Sequence, residues 1–193
     1  MFAFKEWTLV CEALGGGAQS IIIRKGGIAE GRDGFRFKHA DFLLFPTLFH
    51  EQVNKLKLPA ETALPPAAPD GQHAVSLAAH VEWTREVTDW EQVKALAPFH
   101  LWTEAEIEKR FRQDSFRQSG PDRQSGPDQP GVSVAFVRIY RLSAPLIFPD
   151  APKYGGCRSW IDVPELPAGT QRKPVIDEDA DCQRSHQLLE IIR

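Results

Sequence analysis

Apolar and polar positions alternate along most of this chain, and the period of that alternation changes from segment to segment. Phe4, Trp7, Cys11 and Leu14 recur at helical spacing and stop at Gly15-Gly16-Gly17, which predicts an N-terminal helix with one buried face. The β-branched run 20–25 (SIIIRK) predicts a buried strand, interrupted by Gly26-Gly27. Arg32-Asp33-Gly34 reads as a turn into a half-exposed strand, Phe35-Arg36-Phe37-Lys38. A third short strand, Phe42-Leu43-Leu44-Phe45, is expected to end at Pro46, with Thr47 capping a helix over 48–57. The proline-rich segment 59–71 reads as an exposed connection.

From Val75 to Val87 the alternation is strict. Val75, Leu77, Ala79, Val81 and Trp83 share one face and Ser76, His80, Glu82, Thr84 and Glu86 the other, as in a long strand with one wet side. Asp89 then caps a short helix to Ala97, and Thr103 with Glu106 three residues on forms a capping box for the next, to about Gln113. Residues 132–142 are apolar on both faces, which predicts a central strand, and 157–163 a final one. The duplicated QSGPD over 118–130 has nothing to bury and reads as a flexible insertion. Residues 164–193 turn to Pro, Asp and Glu: an acidic, disordered extension with a short terminal helix over 185–193. The core domain is thus expected over 1–163. Strands and helices mix without βαβ alternation, so the fold class is α+β, with a mostly antiparallel sheet or a small barrel and packed helices.

Composition adds little to this picture. A chain of 193 residues with 42% hydrophobic and 25% charged residues suffices for one sizeable core. The net charge of −3 comes from the end of the chain, where Asp162 onward holds seven acidic and four basic residues. No apolar run suits a bilayer span and no signal peptide is read, so a cytoplasmic location and no membrane partner are expected. Cys11, Cys157 and Cys182 form no CxxC pair, and no disulfide is expected.

Six stretches, in order over 5–163, resemble a bacterial family known as domain of unknown function 1802. They are Lys5-Glu6-Trp7, IIIRKGGI at 21–28, FLLFPT at 42–47 followed by His50, PFHLWT at 98–103, VRIYRL at 137–142, and YGGCRSW at 154–160. That resemblance implies no activity, since none is assigned to the family. The element order is also similar to RNA-associated barrels of the PUA and ASCH type, a likeness of fold alone.

Four constellations carry the candidate chemistry. His39, Asp41, His50 and Glu51, joined by His100, are of the types that bind divalent metals or move protons, although no paired HxxxH spacing is present; loop and cap hydrogen bonding is the alternative. Arg24 and Lys25 beside Gly26-Gly27 suit phosphate, with Lys5 and Glu6 near them, but match neither Walker nor Rossmann frames. The connector with His100 and Trp102 either lines a base-stacking pocket or closes the core. Arg158 and Trp160 flank a glycine turn and suit stacking and phosphate contact. These residues, with Thr47, make up a candidate site on one end of the sheet for RNA, DNA or a modified nucleotide. A His-dependent hydrolase or nuclease, and an adaptor using its terminal helix, are the competing readings. No cofactor is specified, and no metal site is assigned.

Overall fold

The computed structural model describes residues 1–24, 37–48, 52–59, 61–66, 68–112, 130–156 and 158–193. The second half of the 20–28 stretch, the turn at 32–34, His50, Glu51, Cys157 and all of the QSGPD insertion but Pro130 lie outside them.

Strand β1 (Phe2–Trp7) leads directly into helix α1 (Thr8–Gly15). The helix expected from Phe4 onward therefore begins only at Thr8. Ala3 and Phe4 are neighbours and both fully buried, which a one-sided helix does not provide but a sheet between two apolar layers does. Strands β2 (Ile21–Arg24), β3 (Asp41–Thr47), β4 (Gln72–Val87), β5 (Val132–Pro149), β6 (Trp160–Asp162) and β7 (Arg172–Pro174) complete the sheet, with α2 (Trp90–Ala95), α3 (Glu104–Arg112) and α4 (Glu178–Ile191) packed on it. The order is β2-β5-β4-β3-β1-β6, and β7 pairs with β5. Only β1 and β3 run parallel. This is the α+β, mostly antiparallel class.

The barrel alternative is corrected: among the described residues β2 and β6 are not joined, so the sheet is open. It nevertheless curls strongly. β2 and β1 stand four places apart in the strand order, yet the Arg24 guanidinium donates to the Lys5 carbonyl at 2.8 Å. A side chain bridges where a ladder would close a barrel. The free edge of β2 is blunted in the same way, with Gln19 Nε2 donating to the Ile21 carbonyl and Arg110 to that of Ile23.

One core lies on the α1 side of the sheet, built on Phe4, Leu14, Ile22, Leu44 and Phe136 with Trp102 and Leu188 from its cover. The other holds Ala3, Leu43, Phe45, Leu146 and Tyr154. Asp89 caps α2 through the Glu91 N–H, and the Thr103 hydroxyl accepts from the Glu106 N–H at the start of α3, as the capping signals predict.

Three further expectations are corrected. β3 runs through Pro46 rather than ending there. The Val81 N–H donates to the Ala40 carbonyl, so even-numbered β3 residues turn their main chain toward β4. That ladder stops at Leu43↔Ala78, and the N–H that proline lacks is not missed. Thr47 does not open a helix over the whole of 48–57: its hydroxyl donates to the Glu6 carbonyl, and within 52–57 the described residues form a single 3-10 turn, Val53–Lys55. Finally, 164–193 is ordered. β7 adds to the β5 edge and α4 begins at Glu178, capped by Asp177, with Leu188 fully buried. Composition concealed this because the acidic residues of α4 line its start and outer face. No helix among the described residues is long and apolar enough to cross a membrane.

Candidate functional site

The alternation of β1 sends Phe4 and Glu6 to the α1 side, at the end where the parallel strands β1 and β3 finish. Glu6 is only 1% exposed. A buried carboxylate needs partners, and it has the Trp7 N–H at 2.8 Å on Oε1 and the Arg24 guanidinium at 3.1 Å on Oε2. Its position at the start of α1 is also one that the helix dipole favours for negative charge. Thr47 and Cys11 donate to the Glu6 carbonyl, and Thr8 donates to that of Thr47.

Over this carboxylate lie the cations and indoles. Arg24 stacks on Phe4 with its Cζ 5.0 Å from the ring centre. Arg110, from α3, lies 3.6 Å from the Trp102 ring centre and 5.6 Å from that of Trp7, while the two indoles meet edge-on at 4.5 Å. Burial, then the charge of Arg24, lowers the Arg110 pKa to about 10, so it is still cationic at neutral pH. Trp160 packs against Phe4 and Phe42, at 4.9 and 5.1 Å, and His39 meets it edge-on while stacking on Phe2 at 3.6 Å. Lys5 donates to the carbonyls of Gly155 and Gly156, tying the turn before β6 to β1; Arg158 is exposed on that turn.

Of the expected site residues, Lys5, Glu6, Arg24, His39, Thr47, Trp102 and Trp160 thus gather along β1, while Lys25 and His50 lie outside the described residues. Of the His/Asp constellation, His50 and Glu51 lie outside the described residues, and the described members His39, Asp41 and His100 do not form a metal-holding group. Asp41 pairs with His80 at 3.0 Å, and His100 sits at the Trp102 connector. That connector closes the core: Trp102 is 1% exposed and bridges to Leu56. His100 accepts the Trp102 N–H on Nδ1, and burial, reinforced by Lys57 and Arg110, lowers its pKa to about 3. It is a neutral acceptor and no proton carrier near pH 7. Burial likewise pushes the Cys11 thiol well up, leaving it protonated rather than nucleophilic. Among the described residues no group of three His, Cys, Asp or Glu is placed to hold a metal ion.

Arg110 went unnoticed in the sequence, although a signal was there. It lies between Ile107 and Phe111 on the apolar stripe of α3, four residues after Glu106, where a charge is out of place unless it is partnered. Gln19 and Gln52 were missed as well. Both are buried, and they accept from the Leu101 and Leu9 N–H groups.

Beside this cluster, a cleft of about 560 Å³ opens between α1, the ends of β3 and β4, and the proline-rich connection. Thr8, Cys11 and Thr47 line it, so it adjoins the Glu6 network; His73, Leu77 and Arg141 lie on its β4–β5 side. Two buried donors in the neighbouring cluster, Arg24 Nε and Trp160 Nε1, have no hydrogen-bond partner among the described residues.

No curated protein and no solved structure matches the chain. The family model described as Domain of unknown function (DUF1802) matches residues 3–187, through β7 and most of α4, and the chain belongs to that family.

Proposed function

We propose that the protein is a binding module for single-stranded nucleic acid or a modified nucleotide, held against the outer side of the β1 cluster. The observation that carries this reading is the pair of unsatisfied donors, Arg24 Nε and Trp160 Nε1, each beside the Phe4 ring. Buried donors are nearly always paired, and an unpaired one calls for an acceptor beyond those the described residues supply. Phosphate oxygens and base edges are such acceptors. The surroundings suit the same ligand: the Arg24 side chain retains 18% exposure, Arg158 is exposed on the turn before β6, and half-buried Trp160 and His39 offer ring faces.

The test is fluorescence anisotropy with labelled single-stranded RNA and DNA between 50 and 200 mM KCl. Binding should weaken with salt. Trp160→Phe keeps the aromatic packing and removes a donor the fold does not use, so it should unfold no more easily yet bind about three- to tenfold more weakly; Arg158→Ala should also weaken binding. Absence of salt-dependent binding at 50 mM, or full affinity in Trp160→Phe, overturns the reading.

A further inference from the structure

The cleft beside α1 is a parting of the sheet. β3 and β4 are in register only over Asp41–Leu43 and Ala78–His80. Beyond that point β3 continues extended to Thr47 along β1, and β4 extends back to Gln72 along β5. The two strands diverge around the cleft without ceasing to be strands.

Main-chain direction follows from the neighbouring bonds. Because the Ala40 carbonyl accepts from Val81, Leu44 and Pro46 turn their main chain to the side β4 has left. The Asp150 N–H donates to the Gly71 carbonyl, so at this end of β4 the odd positions serve β5 while Gln72 and Ala74 turn toward β3. Leu44, Pro46, Gln72 and Ala74 all line the cleft. Two strand edges therefore face each other across a space with no strand of the described residues between them. Such edges are templates for a further strand.

The lining states the chemistry of that strand. Leu44, Phe45, Leu77 and Pro65 give an apolar wall. Two basic groups line the cleft and both are engaged, Arg141 with the Gly15 carbonyl at 2.6 Å and His73 with Asp150 at 2.7 Å. The carbonyl leaves the Arg141 charge in place, but Glu12 and Asp70 form no ion pair among the described residues, so two unpaired carboxylates outweigh one guanidinium and the net charge of the lining is negative. We infer that the cleft accepts an extended peptide segment of a partner protein, apolar at its centre and flanked by lysine or arginine, which adds as a strand between β3 and β4.

The full chain is titrated with a fluorescein-labelled peptide having a Val-Thr-Val centre flanked by lysines. Three comparison peptides are used: two N-methylated at alternate residues, in one frame or the other, and one with glutamates for the lysines. Strand addition uses main-chain N–H groups, so methylation should weaken binding at least tenfold, and the glutamate peptide should bind at least fivefold more weakly. Ala74→Trp, which fills the cleft, should abolish binding. Glu12→Lys, on the exposed face of α1, should weaken it without affecting the fold. Equal binding by both methylated peptides and the parent overturns the inference, as does failure of the parent to bind. Displacement of bound peptide by an equimolar single-stranded RNA would put nucleic acid in the cleft instead, and overturns it too.

Discussion

His100 shows how a residue that looks chemical in a sequence becomes structural in a fold. Its Nδ1 is committed to the Trp102 N–H, and burial beside Lys57 and Arg110 holds its pKa near 3, against 6.5 for the free side chain. The unfolded chain therefore binds a proton at His100 between pH 6.5 and about 3 that the folded chain does not. Stability must fall as pH drops through that window, by up to about 1.4 kcal/mol per pH unit from this group. His100→Asn keeps an acceptor for the Trp102 N–H and removes the titration. Urea unfolding at pH 7 and pH 4.5 should show the variant losing clearly less stability than the parent; equal losses would show that His100 is not the buried group at fault. Aromatic and cationic residue types near β1 were legible as a site in the sequence, because their types are unusual there. Their partners were not, since Arg110 and Trp102 meet only when α3 packs over the end of the sheet.

At the scale of elements, local periodicity is a sound guide at the helix caps and the long strands and misleads at β1 and in the terminal segment. The capping signals at Asp89 and Thr103 act as the chain implies, because a cap needs only its own first turn, whereas the helix expected after Thr47 does not run over 52–57. β1 imitates a helix because Phe4 and Trp7, the latter at the turn into α1, both pack on the α1-side core and so fall at a helical interval. The terminal segment erred in the opposite sense. α4 is a weakly amphipathic, acidic helix that would be marginal alone. It is ordered because Leu188 enters the core, the Trp83 indole donates to Ser185, and Arg184 donates to the Gly17 carbonyl and to the Ser20 hydroxyl. Leu188→Ala should accordingly cost about 2–4 kcal/mol. A shift of the urea midpoint no larger than that of an exposed control such as Gln187→Ala would mean that α4 does not dock.

Across the whole molecule, β5 is the hub: it pairs with β4 along its length, with β2 near its start and with β7 near its middle. Amides of Val134 to Ile139 should exchange slowest in hydrogen–deuterium exchange, and those of β6 and β7 fastest among the strands. Rapid exchange at Val134 to Ile139 would contradict this hierarchy. The hub was visible beforehand, since 132–142 is apolar on both faces and rich in β-branched and aromatic residues, as a strand buried on both sides is. The curl that brings β2 back to β1, the Arg24–Glu6 pair across it and the parting of β3 from β4 were not visible. Residue types and short-range periods set the class, the caps and the central strand, because those depend on neighbours within a few positions. The site and the cleft arise from contacts between residues far apart in the chain, from 18 positions for Glu6–Arg24 to 156 for Phe4–Trp160, whose pairing depends on strand order and sheet curvature, and no local pattern encodes either.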